Sequence, residues 1–294
     1  MKLNAYLLAA DPAWIEASVL SYYDRVDRLV VSYDKNGRGW TGAPIAVEEC
    51  LGRLRAIDRL GKMRFIPGEF WRAGHTPMEN DTYQRQCALD AASEGAEWVL
   101  SFDTDEVLPE LAALDRILIR AGEWDLPAVE WPMRVLFQRM RDGRFLEVCA
   151  EDGGDRFDYP GPIATRPGQT VTDARRTTGR YLRPIVRGDD RSLQICRPAE
   201  VGREVRETLL EAHEAILHNS WARSPASIRS KIRSWGHASG WRSWRYYALK
   251  WSLAPMRWKH MRNFHPFAGG LWPALKPCAA AMPQASVEYG LSVD

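Results

Sequence analysis

The sequence predicts an α/β protein whose sheet is parallel in its first half and covered by helices on both faces. Two observations carry this prediction. Short apolar, β-prone segments alternate with helix-length segments over residues 1–102, and the fourth apolar segment, 98–102, ends abruptly in acidic residues. Parallel strands need such helical crossovers, and in open α/β sheets ligands bind beyond the carboxyl ends of the strands. The acids are therefore expected at the rim of a crevice.

The elements follow in order from local signals. Pro12 lies in the first turn of a predicted helix whose Ile15 and Val19 share one face, and a glycine-rich loop, 36–42, follows the second strand. A tight turn at 141–143 joins two later strands, so the second half is expected to be mixed or antiparallel. The strands are predicted at 3–9, 28–34, 64–66, 98–102, 127–137 and 143–148, and the helices at 12–23, 44–60, 79–94 and from 107–110 onward.

Two carboxylates, Asp103 and Asp105, follow the fourth strand. Side chains alternate along an extended chain, so residues two apart point the same way and can share one hard divalent cation while leaving positions open for phosphate oxygens. The metal implied by such ligands is Mg²⁺ or Mn²⁺. The alternative is that both acids only cap the next helix, where acidic residues favour the first turn.

The composition bounds the class of protein. A chain of 294 residues, 45% hydrophobic and 27% charged, can bury one sizeable core. Its five cysteines are widely spaced without a Cys-x-x-Cys pair, which favours neither a disulfide framework nor a zinc site. The first residues are too short an apolar run for a signal peptide, and no stretch approaches the roughly 20 apolar residues of a membrane span. A cytoplasmic protein is expected.

The charge is distributed unevenly. Residues 215–287 contain no Asp or Glu, but they hold eleven of the 40 Lys and Arg and seven of the thirteen Trp. Tryptophan interleaved with arginine favours an anionic, partly apolar surface such as a membrane interface or a glycolipid phosphate. Nucleic acid is a disfavoured second partner. The remaining alternative is a helical subdomain with tryptophans in its core and solvated arginines.

Five features stand in a specific order along residues 1–240. They are Asp34 closing the second strand, Tyr83-Gln84-Arg85-Gln86, Phe102-Asp103-Thr104-Asp105-Glu106, Tyr159-Pro160-Gly161-Pro162, and His218-Asn219-Ser220-Trp221-Ala222-Arg223-Ser224. In this order and spacing the chain resembles bacterial family 2-like glycosyltransferases of the GT-A fold. The resemblance implies a GT-A fold with a mixed central sheet over 1–214, divided into a nucleotide-sugar half, 1–125, and an acceptor half, 126–214. A mostly helical basic C-terminal region, 215–294, would complete the active site.

The resemblance also implies roles for single residues. Asp34 would contact the nucleoside, Asp103 and Asp105 would meet ribose and metal, and His218 would complete the metal shell. Arg85 would reach the donor phosphates.

Each of these roles has a structural alternative. Asp34 could form a turn with the residues that follow it. Arg85 could pair only with Asp81, four residues earlier on the same helix. His218 could be a satisfied structural histidine after its apolar run.

An inverting transferase also needs a carboxylate that takes the proton of the acceptor hydroxyl. The segment 151–155 is the nearest match to the acidic base region of the family, and Asp152 and Asp155 are its candidates. Asp189 and Asp190 are rivals, and all these acids could be solvated loop residues.

The predicted function is transfer of a sugar from a nucleotide-diphosphate donor, a UDP-sugar, to a glycan or lipid-linked acceptor. Two other classes are considered. The segment 103–108 also resembles the nucleophile motif of haloacid-dehalogenase-like phosphatases, but these need a lysine before their later acidic motif, and none occurs between Lys62 and Lys231. A non-catalytic carbohydrate- or membrane-binding module is the third class, which acids at a strand end disfavour.

Overall fold

A computed structural model of the protein describes residues 1–234 and 240–278. Residues 235–239 and 279–294 of the predicted C-terminal region, Trp235 among them, lie outside the described residues. The strands are β1 (Leu3–Leu8), β2 (Arg28–Asp34), β3 (Met63–Gly68), β4 (Trp98–Phe102), β5 (Glu106–Val107), β6 (Ala128–Glu130), β7 (Met133–Arg139), β8 (Phe145–Cys149), β9 (Pro162–Thr165), β10 (Val171–Asp173), β11 (Arg176–Thr177), β12 (Tyr181–Val186), β13 (Glu204–Leu210), β14 (Ile216–His218) and β15 (Ala274–Pro277).

The helices lie mainly in the first half and in the C-terminal region. They are α1 (Ile15–Leu20), α2 (Val47–Ile57), α3 (Pro77–Ala92), α4 (Leu111–Glu123), α5 (Leu193–Cys196), α6 (Pro225–Ser234), α7 (Trp241–Tyr246) and α8 (Ala254–Arg257), with a π-helical turn over Tyr247–Trp251 and 3₁₀ turns over Ala212–Glu214 and Trp258–His260. The start of α3 shows why its sequence is helical: Thr76 and Glu79 form a reciprocal capping box around Pro77.

A mixed sheet of eight strands forms the centre of the fold, in the order β13-β12-β6-β9-β4-β1-β2-β3. Neighbours are parallel except around β9, which runs antiparallel to both β4 and β6. The predicted α/β class and mixed central sheet are confirmed. The core lies on both faces of this sheet, with α1, α2 and α4 on one face and α3 on the other.

A second sheet, β15-β8-β7-β14-β5, lies beside the first. It joins β7 and β8 to β14 and β15, so the C-terminal region contributes strands as well as helices. The division into a nucleotide-sugar half, 1–125, an acceptor half, 126–214, and a C-terminal region, 215–294, stays a prediction.

Several sequence expectations differ from the structure. The helix predicted over 12–23 is shorter, because α1 begins only at Ile15, after Trp14 with a positive φ of 67°, so Pro12 precedes the helix instead of lying in its first turn.

The strand predicted over 127–137 is two strands in different sheets, since the chain leaves the central sheet at Trp131 and Pro132. The Trp131 side chain is fully buried and its indole donates to the Glu214 carbonyl at 3.0 Å. The helix expected from 107–110 begins at Leu111, because Glu106 and Val107 pair with β14.

The described tryptophans of the C-terminal region differ in burial, and Trp258 is half-buried. Trp221, Trp251 and Trp272 are buried in a core shared with β7 and β8, as the subdomain alternative expects. Trp241 and Trp244 are exposed. Within the described ranges, no helix combines the length and the apolar character needed to cross a membrane.

Candidate active site

The candidate site is a cavity at the carboxyl edge of the central sheet. Strand β1 lies between β2 and β4, and the crossover helices leave toward opposite faces on its two sides. Such a switch point leaves a crevice beyond the strand ends, which is where open α/β sheets bind ligands. The crevice here has a volume of about 790 Å³, within the usual range for ligand cavities.

The cavity is walled by loops from both halves of the chain and by α6. The sequence of α6 gives it two faces: Ile228 and Ile232 pack into the C-terminal core, while Ser227 and Lys231 line the cavity. The Thr41 hydroxyl donates to the Arg233 carbonyl at 2.9 Å, which ties the end of α6 to the glycine-rich loop. The helix therefore closes one side of the site.

The acidic motif turns as soon as β4 ends. The Glu106 amide donates to the Asp103 carbonyl at 3.1 Å, and the buried Glu106 carboxylate accepts the Asp103 amide at 3.0 Å. Arg175 donates to both oxygens of that carboxylate, at 2.8 and 3.1 Å. Because residues 103–105 form a turn rather than an extended strand, Asp103 and Asp105 reach different partners.

Asp103 faces two guanidinium groups. Its carboxylate accepts from Arg85 Nη2 at 2.9 Å and from Arg175 Nη2 at 2.7 Å. Burial opposes ionisation, but the two arginines outweigh it and hold the pKa of Asp103 below its ordinary value. Arg85 also donates to Asp81 at 2.7 Å, and its buried Nη1 has no hydrogen-bond partner in the described part of the chain. Arg85 therefore pairs with Asp103 as well as with Asp81, and the alternative of a pair with Asp81 alone is wrong.

Asp105 faces a second group of cations. Its Oδ2 accepts from Arg223, lies 3.4 Å from Lys231 Nζ and lies 3.7 Å from His218 Nε2. Burial again opposes ionisation, yet these groups hold the pKa of Asp105 below its ordinary value. Burial lowers the pKa of His218, so its imidazole is neutral near pH 7. Arg223 also donates a hydrogen bond to the Asp11 carboxylate, so its guanidinium bridges two carboxylates.

The predicted metal ligands do not fit a divalent cation in this arrangement. Asp103, Asp105 and His218 all line one cavity, as expected. However, the oxygen of Asp105 that faces His218 already holds Arg223 and Lys231, whose charges repel a metal ion. Across residues 1–234 and 240–278, no three His, Cys, Asp or Glu side chains come together in a group that could hold a metal.

Asp34 lines the cavity, but its carboxylate is occupied by backbone amides. One oxygen accepts from the amides of Asn36 and Arg38 at 2.9 and 3.1 Å, and the other accepts from Phe70 at 2.8 Å. These bonds form the turn that the structural alternative expects. Contact with a nucleoside stays a prediction.

The candidate bases Asp152 and Asp155 do not line the cavity. Asp152 is exposed and pairs with Arg191 at 3.0 Å, and Asp155 pairs with Lys276. Their rival Asp189 accepts from the Tyr159 hydroxyl at 3.1 Å, also outside the cavity. Residues 126–214 contribute Pro160, Ala174 and Arg175 to the lining, and no carboxylate among those described. The structure gives no support for any of these acids as the base.

Sequence reasoning missed several residues of the site. Arg223 belongs to the motif that begins at His218, so a signal for it existed. Lys231 was visible as the first lysine after Lys62, on a helix free of acids. Arg175 stands in the turn between β10 and β11, after Ala174 with its positive φ of 49°, and its spacing carries no signal.

No protein-family model and no curated protein matches the chain. Among solved structures, it is similar to 4-diphosphocytidyl-2C-methyl-D-erythritol synthase from Anaerococcus prevotii (15% identity, TM-score 0.33), over 56% of this chain and 71% of that one. It is also similar to mannose-6-phosphate isomerase from Helicobacter pylori (12%, 0.30), over 57% and 62%. A third similar structure is mannose-1-phosphate geranyltransferase from Thermus thermophilus (14%, 0.29), over 54% and 50%. Each likeness covers little more than half of the chain.

Proposed function

We propose that the protein is a glycosyltransferase of the GT-A fold that moves a sugar from a UDP-sugar to a glycan or lipid-linked acceptor. The observation that carries this proposal is the meeting of the resemblance residues in one cavity at the sheet switch point. Asp34, Arg85, Asp103, Asp105 and His218 come from separate parts of the chain and all line it. A mixed sheet with a crevice beside β1 and β4 also suits a nucleotide ligand.

The chemistry of the lining supports a donor that carries phosphates. The side chain of Asp103 is 31% exposed, which leaves its carboxylate room to accept a ribose hydroxyl. Guanidinium forks match phosphate oxygens, and Arg85 keeps one donor group unused. Fixed cations aimed at the leaving diphosphate stabilise the negative charge that develops on it as the bond between the sugar's anomeric carbon and the phosphate oxygen breaks. Arg85 and Lys231 are the side chains to which we assign this work.

The first test is calorimetric titration of the purified protein with UDP, GDP and dTDP. We expect UDP to bind with a micromolar Kd and uridine to bind more weakly, since most of the charge contacts are to phosphate. A screen of UDP-sugars for release of UDP would follow. If none of the three nucleotides binds, the proposal is wrong. Hydrolysis of p-nitrophenyl phosphate in place of binding would favour the phosphatase alternative.

We also propose that the C-terminal region meets an anionic membrane surface, where a lipid-linked acceptor would lie. Exposed apolar side chains are concentrated on α7 and the segment after it: Trp241 is 72% exposed, Trp244 43% and Met256 76%. The same segment carries arginine and lysine without any acid. Tryptophan at the interface and cations facing anionic headgroups are what peripheral binding needs.

Sedimentation with liposomes tests the membrane proposal. The protein should bind vesicles that contain phosphatidylglycerol and should be released as salt rises, because Lys and Arg supply much of the attraction. Trp241→Ser together with Trp244→Ser should weaken vesicle binding about tenfold, because two indoles that would enter the membrane interface are lost. Trp124→Ser, an exposed tryptophan on α4's end, is the matched control. Equal loss in both variants, or no binding at low salt, would contradict the proposal.

A further inference from the structure

We infer that the cavity holds the diphosphate of its ligand with fixed side-chain cations and needs no divalent metal. This inference rests on the proposed nucleotide-sugar function and concerns how the same site binds phosphate. It departs from the expectation of a Mg²⁺ or Mn²⁺ shell.

A metal shared by the predicted ligands would have to lie among positive charges. A shared metal would lie between Asp105 and His218, the two predicted ligands that approach each other. The oxygen of Asp105 on that side is already the acceptor of Arg223 and lies 3.4 Å from Lys231 Nζ. An added divalent ion would lie within a few ångströms of both positive charges in a largely buried site, where repulsion is weakly screened.

Asp103, the other predicted metal ligand, has different partners. Asp103 points to Arg85 and Arg175, not to Asp105's partners. The turn at 103–105 thus separates the two carboxylates that a shared metal would need side by side. Each acid instead fixes the position of two cations, which leaves those cations preorganised for a ligand.

Two cations that line the cavity, Lys231 and Arg85, keep hydrogen-bond donors without an acceptor. Lys231 gives one hydrogen bond to the Ser220 carbonyl at 2.7 Å and a longer one to Asp105, and an ammonium has three donors. Arg85 keeps a buried Nη1 without a partner in the described part of the chain. Both side chains line the cavity, one from α6 and one from α3. A buried guanidinium donor without an acceptor is costly unless a ligand supplies that acceptor.

The experiment compares UDP binding to the full chain in EDTA and in Mn²⁺ by calorimetry. We expect the two Kd values to agree within about threefold, because the phosphate contacts are already in place. In a separate experiment with Mn²⁺ alone, its electron paramagnetic resonance amplitude should not fall when protein is added. The uridine affinity should be the same in EDTA and in Mn²⁺.

Lys231 is tested by a matched pair of variants. Lys231→Met keeps the length of the side chain and should weaken UDP binding in EDTA about tenfold, the loss of one charged phosphate contact. Lys231→Arg should stay within about threefold of the unmodified protein, which shows that charge is what matters. Lys250→Met, which removes an exposed lysine of the same region, should leave UDP binding unchanged.

The outcomes separate the inference from the proposed function. The inference is overturned if UDP binds at least about tenfold more tightly in Mn²⁺ than in EDTA, or if Mn²⁺ binds to the protein without UDP. Either result would still support the proposed nucleotide site. Unchanged UDP binding in Lys231→Met overturns the assignment of phosphate to this lysine. Absence of any nucleotide binding under both conditions rejects the inference together with the proposed function.

Discussion

Replacing Arg223 by methionine is expected to lower the free energy of unfolding by about 3–5 kcal/mol. Arg223 is nearly fully buried and bridges the carboxylates of Asp11 and Asp105, and its Nε also donates to the Asn219 carbonyl at 3.0 Å. Methionine fills similar space without charge. It would remove one of the two cations that contact the buried Asp105 and the ion-pair partner of Asp11, and a buried charge that loses compensation makes such replacements costly.

Urea denaturation of the purified variant measures this loss. Arg187→Met is the matched control, because Arg187 pairs with Glu211 on the surface and such pairs contribute about 0–1 kcal/mol. Adding Asp105→Asn to Arg223→Met should restore part of the stability, since one stranded charge is removed. If the two arginine variants lose the same stability, or the second substitution adds its full cost, the bridge does not hold the site together.

Strands β1 to β4 of the central sheet were predictable because their signals are local, whereas β9, β12 and β13 of the same sheet were not predicted. Each of the first four strands is a short apolar run, and the start of the third helix is set by the local capping box of Thr76 and Glu79. The strand over 127–137 was mispredicted for the opposite reason. Nothing local shows that the chain changes sheets at Trp131, because the partners of β7 lie at β8 and β14, further along the sequence.

The site was predictable only as far as its motifs reach. The sequence resemblance predicted that Asp103, Asp105 and His218 act together, and all three line the same cavity, because residues at strand ends converge on one edge of the sheet. It could not show what pairs with them. Arg175 is 72 residues from Asp103 and Lys231 is 126 residues from Asp105, so only the folded chain shows that each acid is held by cations.

The same limit applies to the choice between a metal and side-chain cations. Two acids separated by one residue predict a shared ligand only if the backbone stays extended. That geometry is lost here because Glu106, buried against Arg175, accepts the Asp103 amide and closes a turn. A single buried carboxylate after the motif therefore turns Asp103 and Asp105 toward different partners.

Replacing Arg85 by lysine is expected to weaken UDP binding by about 10–100-fold, the loss of a charge-assisted hydrogen bond and of the guanidinium fork. Lysine keeps the positive charge beside Asp81 and Asp103, so the fold should be retained, but it cannot reproduce the guanidinium, whose buried Nη1 has no partner among the described residues. The affinity for uridine should stay within about threefold, because the lost contact is to phosphate. Calorimetry with both ligands measures the difference, and thermal unfolding confirms that the variant is folded.

Arg25→Lys is the control for this substitution, because Arg25 makes a similar pair with Asp115 away from the cavity and should leave both affinities unchanged. A loss that is equal for UDP and uridine would mean that Arg85 shapes the nucleoside pocket through α3 instead of binding phosphate. No loss for either ligand would place the phosphates elsewhere and make Arg85 a structural partner of Asp81 and Asp103. The ratio of the two affinities, rather than either value alone, therefore identifies what this buried guanidinium does.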